Sequence, residues 1–348
     1  MFARRPGRDN ALAPVGMGSH LDSQPTGGKY DGAFGVLAAL EVLRTLNDLN
    51  YETLRPIEVI NWTNEEGCRF APAMLASGVF AGRFDLDYAL ARTAPDGASY
   101  GAELRRIGFA GEAEPGDHAL AAFFECHIEQ GPILEDEGKT IGVVTGAQGQ
   151  RWFAVTLTGE ERHAGTTPMP IRRDALVAAA QLVERIQRIA LEHAPDAVAT
   201  VGSLSVFPDS PNVIPGGVRL TVDMRNPDDS ELSSMKEALL AALGEIAEAS
   251  GVAIEHEEVW YTPPVPFDPD CIGMVREGAE RGGYPHRDIV SGAGHDAVNI
   301  AAVAPAAMIF IPCADGVSHA EHESATPEDV AAGCDVLLHA VVSAANRR

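Results

Sequence analysis

Histidines and carboxylates occur in this chain in short clusters whose spacing suits a metal centre. Ser19-His20-Leu21-Asp22 is followed closely by Lys29-Tyr30-Asp31-Gly32. A histidine and a carboxylate that meet in one crevice suit a borderline divalent ion such as zinc or manganese. Asp22, two residues after His20, is placed to orient a ligating imidazole from behind. The second cluster is Asn64-Glu65-Glu66-Gly67. Adjacent carboxylates at the end of an apolar strand are unfavourable unless a cation compensates them. One can then ligate while its neighbour accepts a proton from metal-activated water; the alternative is a solvated loop pair. The third cluster, Glu125-Cys126-His127-Ile128-Glu129-Gln130-Gly131, puts His127 on the strand face of Glu125 and Glu129 by the two-residue period. A glycine-rich turn, Ser291-Gly292-Ala293-Gly294-His295-Asp296, presents His295, and Ser318-His319-Ala320-Glu321-His322-Glu323 offers two histidines and two acids. Taken singly, each histidine also reads as an ordinary hydrogen-bonded core or surface residue. The case for a centre is that four polar clusters each follow a strand of one sheet and together supply enough ligands for two ions.

Such clusters need a scaffold that gathers strand ends. Strand-like segments at 15–19, 57–63 and 123–129 alternate with a helix over 33–49, in which Leu37, Leu40, Leu43 and Leu46 fall on or near one side. This β-then-α rhythm predicts an α/β layer fold with a largely parallel sheet. Open sheets of that kind place their ligands at the carboxyl ends of the strands. The middle of the chain reads differently: strand 152–158, helix 173–192, strands 197–206 and 218–225, helix 231–249 and strand 252–260. That order is β-α-β-β-α-β, a ferredoxin-like unit. Pro263-Pro264 and Pro266 mark the return. The expected division is therefore residues 1–150 with 263–348, interrupted by an inserted domain over 151–262. The α/β pattern resumes with a helix over 269–282, a buried strand over 306–311 and a terminal helix from Pro327, where Glu328 and Asp329 face the positive end of the dipole.

The chain has 348 residues, 45% hydrophobic and 22% charged, which suits a folded protein of about two domains. Its formal net charge of −24 argues against a nucleic-acid partner. A local basic site can still hold a carboxylate within such a surface. Cys68, Cys126, Cys271, Cys313 and Cys334 are widely spaced and form no C-x-x-C pair, so they read as free thiols in a reducing compartment. No apolar run approaches the roughly 20 residues of a membrane span. The arginine-bearing start has no apolar segment after it and is no secretory signal. A cytoplasmic enzyme without membrane partners is expected.

With these segments in hand, the sequence resembles the dinuclear-metal amidohydrolases that include N-carbamoyl-L-amino-acid hydrolase, β-ureidopropionase and allantoate amidohydrolase. The resemblance is carried by GSHLDSQPTGGKYDGAFGVLAALE, NWTNEEGCRFAPAMLASGVFAG, ECHIEQGPILEDEGKTIGVVTGAQGQRW, RHAGTTPMPIRRDA, PNVIPGG and GAGHDAVNIA, and more loosely by SHAEHE. It implies a zinc-exopeptidase-like catalytic domain and a ferredoxin-like lid or dimerisation domain, in a homodimer with two divalent ions (Zn, Mn, Co or Ni) per subunit. By the same resemblance His20 and His127 hold one ion, Glu66 and His319 the other, and Asp31 bridges them. Glu65 is then the general base and His163 stabilises the reacting carbonyl, in some arrangements for a partner's site. Gln130, Asn212, Arg225 and His295 match substrate-contacting positions, His295 matching a supporting one equally well. Arg225 has the fork that suits a substrate carboxylate.

The implied reaction is hydrolysis of the ureido C–N bond of an N-carbamoyl-L-amino acid, giving amino acid, CO₂ and ammonia. β-Ureidopropionate or allantoate are the alternative substrates, and a peptidase or aminoacylase a more distant one. Three features depart from the family's pattern. The chain begins about where the family's first conserved strand does, which raises the reading of an inactive, truncated, dimerising homologue with an exposed sheet edge. Ala-Glu-His-Glu follows His319 where relatives carry Asn-Pro, adding His322 beside the expected ligand. Cys126 stands where relatives often have Leu.

Overall fold

The computed structural model describes residues 1–347. It divides into two compact units: one runs from Met1 to Ala147 and resumes at Pro266, and the other is Gln148–Val265.

In the first unit, Val15–His20, Ala122–Ile128 and Ala306–Ile311 are buried along their whole length. This is why they read as unbroken apolar runs: a strand covered on both faces has no reason to alternate. The sheet order is Phe2–Arg5, Ile57–Trp62, Val15–His20, Ala122–Ile128, Ala306–Ile311, Ile141–Ala147, and then Val265–Pro266 where the chain returns; His286–Ser291 also pairs with Ile141–Ala147. Ile57–Trp62, Val15–His20, Ala122–Ile128 and Ala306–Ile311 run parallel, each to its neighbour. Phe2–Arg5 and Ile141–Ala147 join the group antiparallel, so the sheet is mixed and mostly parallel. The helices Ala33–Asp48, Pro269–Gly282 and Pro327–Ala345 pack on the sheet and beside one another.

The helix over Ala33–Asp48 buries Phe34, Gly35, Val36, Ala38, Ala39, Val42 and Leu46. The expected leucine face is thereby corrected: Leu37 is 59% exposed and Leu40 46%, and of the four only Leu46 is fully buried. A spacing of three drifts about 60° per step around a helix of 3.6 residues per turn, so four such leucines cannot share a face. The small residues let the helix lie close to the sheet. A Cβ on Gly35 would stand 2.3 Å from the Cys126 carbonyl oxygen. Three strands found no place in the sequence pattern. Phe2–Arg5 is a short edge strand, and Ile141–Ala147 and His286–Ser291 are interrupted by glycine or carry charge. Phe2–Arg5 pairs antiparallel with Ile57–Trp62 and forms the end of the sheet on that side.

The second unit is a four-stranded antiparallel sheet in the order Ala253–Thr262, Gly149–Thr158, Gly217–Asn226, Val198–Phe207. Two helices, Ala175–Glu192 and Asp229–Ser250, complete a β-α-β-β-α-β sequence. Phe153, Val155, Leu157, Val218, Leu220 and Val222 interleave with Leu182, Ile186, Leu239 and Leu243 to form a core of its own. Asp174 and Asp228 cap the two helices through backbone N–H groups. A short ladder joins Arg162–His163 to Val213–Ile214.

Candidate metal centre

Four adjacent parallel strands deliver the polar clusters to one end of the first unit's sheet. His20 is the last residue of its strand and His127 the second-last of the next; Glu65-Glu66 and His319 lie in the loops beyond Ile57–Trp62 and Ala306–Ile311. Asp31 sits just before the Ala33–Asp48 helix. Its two carboxylate oxygens face different partners. Oδ1 is 3.4 Å from His20 Nε2 and 3.2 Å from His127 Nε2, whereas Oδ2 is 3.2 Å from His319 Nε2. His319 Nε2 is in turn 3.6 Å from Glu66 Oε2. The donor atoms thus form two groups that share Asp31: His20, Asp31 and His127, and Asp31, Glu66 and His319.

The hydrogen bonds fix the tautomers this arrangement needs. His20 Nδ1 lies 2.8 Å from the Asp22 carbonyl and His127 Nδ1 2.9 Å from the Ile128 carbonyl. A carbonyl only accepts, so both Nδ1 atoms carry hydrogen; His127 Nε2 then accepts from Gly32 N at 3.1 Å, while His20 Nε2 shares a proton with Asp31 that a bound cation would replace. Asp22 stands beside His20 as expected, with its backbone oxygen as the nearer acceptor and its carboxylate Oδ1 3.9 Å from the same Nδ1. The carboxylate accepts from Glu65 N and Glu66 N, each at 3.1 Å, one oxygen apiece. A charged acceptor satisfies both amides of the loop and fixes the direction of its two glutamates.

Backbone strain concentrates at the same place. Asn64, Gln130 and His319 have φ of 64°, 59° and 56°, and Gly32 has 65°. Non-glycine residues held there cost of order 1–3 kcal/mol each and persist where the surroundings over-determine them. At Gly32 the requirement is double, because a Cβ would also stand 2.3 Å from the His20 ring.

The electrostatics favour positive charge. Burial works against a charged His20, yet its hydrogen bond to Asp31 and the charges of Glu65, Asp296 and Asp22 push its pKa up to about 11. Burial likewise opposes charge on Asp31, but His127 and His20 hold it far below the usual carboxylate range. Burial raises Glu66, and burial together with Asp296 raises Glu65 well above an ordinary carboxyl. Glu66 Oε1 is buried with no hydrogen-bond partner. A field that charges an inaccessible histidine, an orphaned carboxylate oxygen and a mixed imidazole–carboxylate donor set all fit divalent cations such as zinc or manganese.

The other expected residues take varied places. Gln130 donates through Nε2 to Asp31 Oδ2 at 2.9 Å and to Ser318 Oγ at 3.1 Å, beside the ligands. His295 is 2% exposed, packs edge-on against His127 with 4.5 Å between centroids, and meets Ser291 Oγ at 3.0 Å. That position behind a ligand suits the supporting role more than substrate contact. His322 is exposed and belongs to neither ligand group. Glu129, expected on the His127 face, turns to accept from Ile133 N and Leu134 N. In the second unit His163 is exposed and its Nδ1 accepts from Gly165 N at 3.1 Å. The Asn212 carbonyl accepts from Ala164 N, which sets Asn212 beside His163. Arg225 pairs with Asp223, the closest contact 2.8 Å from Nη2. Sequence reasoning gave no role to three buried groups: Glu125, held by Ser19 Oγ and Ala297 N; Asp296; and Glu323. Glu125 and Glu323 were visible only as acids within the quoted clusters, and Asp296 only as the residue after His295.

A family model described as "Peptidase family M20/M25/M40" matches residues 16–343. An N-carbamoyl-L-amino-acid amidohydrolase of Rhizobium meliloti is 53% identical over 99% of this chain and 83% of that protein. A ureidoglycolate hydrolase of Arabidopsis thaliana is 37% identical over 97% of the chain and 73% of its own length. Among solved structures, an amidase of the hydantoinase/carbamoylase family from Burkholderia multivorans superposes with a TM-score of 0.97 at 59% identity, covering 99% of this chain and 84% of that one. With the ligand geometry and these relatives together, the chain belongs to peptidase family M20/M25/M40, on the branch that holds the hydantoinase/carbamoylase amidases.

Proposed function

We propose that this protein hydrolyses the carbamoyl C–N bond of N-carbamoyl-L-amino acids, using two divalent ions. The observation that carries the reading is Asp31, whose two oxygens serve two separate ligand groups, in a chain 53% identical to a relative named for that activity. His20 and His127 would hold one ion with Asp31, and Glu66 and His319 the other; zinc, manganese, cobalt and nickel all suit the donors. Bound there, the ions supply Lewis-acid activation of water and of the substrate carbonyl.

Glu65 takes the proton of the attacking water. Its burial and the adjacent Asp296 raise its basicity, as a proton acceptor requires. The Asp22 clamp on its backbone amide aims it. Water oxygen bonds to the ureido carbon, the C–N bond to the amino acid breaks, and Glu65 returns its proton to the leaving nitrogen. Carbamate then decays to CO₂ and ammonia. His163 donates to the carbonyl oxygen as it gains charge. Asn212 and Arg225 bind the rest of the substrate, Arg225 exchanging Asp223 for the substrate carboxylate. Gln130 contacts substrate from beside Asp31.

The 148–265 unit serves as lid and dimerisation domain in a homodimer. Val198–Phe207 supports this, being an edge strand with Val198, Leu204 and Phe207 exposed. No helix among the described residues is long and apolar enough to cross a membrane. A second reading is cleavage of another ureido substrate, β-ureidopropionate or allantoate among them; the plant relatives named ureidoglycolate hydrolase favour ureidoglycolate within it.

The test is a panel of N-carbamoyl amino acids, ureidoglycolate, β-ureidopropionate, allantoate and N-acetyl amino acids. Ammonia and amine release are followed after chelation and after adding manganese, cobalt or zinc. Ammonia release from N-carbamoyl-L-amino acids should vanish on chelation and return with metal. Full turnover by the chelated protein, or turnover of N-acetyl substrates alone, refutes the proposal.

A further inference from the structure

Glu323 is a glutamate that the proposed chemistry does not use, yet it is only 2% exposed. Its Oε1 accepts from Tyr30 N at 2.9 Å and Asp31 N at 3.0 Å. Its Oε2 meets Ser318 Oγ at 2.9 Å. One carboxylate therefore ties the loop before the Ala33–Asp48 helix to the turn that carries His319, across nearly the whole sequence. Room for it is made by Gly28, where a Cβ would stand 2.1 Å from Glu323 Oε1.

Ser318 shows what the tie achieves. Three polar atoms surround its hydroxyl: Gln130 Nε2 at 3.1 Å, Asp31 Oδ2 at 3.0 Å and Glu323 Oε2 at 2.9 Å. Gln130 donates, so the hydroxyl keeps one proton for two carboxylates. If that proton goes to Asp31, it occupies a lone pair of the oxygen that faces His319. If it goes to Glu323, Asp31 Oδ2 keeps that lone pair for a cation. The tie also sets the backbone of Asp31 against the backbone beside His319, and hence the 3.2 Å approach of His319 Nε2 to Asp31 Oδ2.

We infer that Glu323 is a positioning residue for the Asp31–Glu66–His319 group: it locks the Asp31 backbone to the His319 turn and draws the single Ser318 proton away from Asp31. The inference rests on the proposal that this group holds a divalent ion. Asp31 serves both groups, but the Ser318 proton bears on Oδ2, the oxygen that faces His319, whereas His20 and His127 face Oδ1, so the effect falls mainly on one ion of the two.

The experiment is calorimetric titration of the metal-stripped full chain with Mn²⁺, for the wild type, Glu323→Gln and Glu323→Ala. In Glu323→Gln the side-chain oxygen still accepts from Tyr30 N and Asp31 N, but its NH₂ now donates to Ser318, which must turn its proton to Asp31. One of two Mn²⁺ sites should weaken roughly 10- to 100-fold, the range seen when groups supporting metal ligands are lost. The other should keep its affinity, and the metal-free melting temperature should stay close to that of the wild type. Glu323→Ala, which also frees two amides, should weaken the same site further. Two unchanged sites in Glu323→Gln, equal weakening of both, or a wild type that takes a single Mn²⁺ would overturn the inference. A wild type that binds two Mn²⁺ but releases no ammonia from N-carbamoyl amino acids refutes the proposed substrate instead, and the titration still decides the role of Glu323.

Discussion

Gly32→Ala separates backbone strain from damage to the metal centre. Gly32 has φ of 65° and lies against His20, where an added Cβ would be 2.3 Å from Cε1 and Nε2 and 2.4 Å from Nδ1. An ordinary carbon contact begins near 3.4 Å. The ring or the loop must therefore retreat by about 1 Å, far beyond the roughly 0.2 Å tolerance of a metal–ligand distance. His20 is walled in, 1% exposed, with Nδ1 fixed by the Asp22 carbonyl, so it has little room to retreat. Gly82 supplies the control. Its φ is 73°, but nothing lies within 4 Å of its would-be Cβ. Both alanine variants carry the left-handed strain, about 1–2 kcal/mol; only Gly32→Ala carries the clash. In chelator, Gly82→Ala should show a modest fall in melting temperature and Gly32→Ala a larger one. With Mn²⁺ added, Gly82→Ala should bind two ions and turn over as the wild type does. Gly32→Ala should lose the ion of His20 and His127, with turnover reduced at least about 100-fold, as a misplacement near 1 Å implies. A Gly32→Ala protein that binds both ions and turns over like Gly82→Ala would show that His20 is not confined as the geometry requires.

Three further substitutions probe other residues of the proposed machinery. Glu65→Gln should keep both Mn²⁺ ions, measured by titration, while kcat falls roughly 10²- to 10⁴-fold, the contribution of a placed proton acceptor; an unchanged kcat removes it as base. Asp22→Asn can accept from only one of the two amides and turns an NH₂ against the other, a loss of about 1.5–3 kcal/mol for a charged hydrogen bond. Its kcat and its affinity for the ion of Glu66 should fall together, and loss confined to the ion of His20 and His127 would point to a carboxylate-to-His20 role. Arg225→Ala should raise KM for carboxylate substrates roughly 10- to 100-fold and leave both metal affinities intact; an unchanged KM places the clamp elsewhere.

What the sequence disclosed about this site follows the reach of its physics. The clusters that carry His20, Glu66, His127 and His319 were legible because each stands at or beyond the end of an apolar run, and apolar runs of this kind become the central strands of a parallel sheet, whose carboxyl ends converge; their assignment as ligands, with Asp31 as the bridge, was implied by the family resemblance. Convergence of strand ends needs only the order of elements, which hydrophobic pattern supplies. Which oxygen of Asp22 meets His20 was not legible, for the opposite reason. Two residues of separation bring both its carbonyl and its carboxylate near His20, and only the path of the loop decides which oxygen turns inward. The same blindness hid Phe2–Arg5, too short and exposed to alternate visibly, and it produced the false leucine face at Leu37 and Leu40, where residue type spoke against helical geometry. Glu323 is the furthest case. Its partners, Tyr30 and Asp31, lie at the other end of the chain, and no period or local spacing connects them. A proton shared among Ser318, Asp31 and Glu323 becomes visible only when three loops are in place. Polar clusters at strand ends can thus be read from pattern, whereas the groups that hold them in place depend on loop paths and have to be read from coordinates.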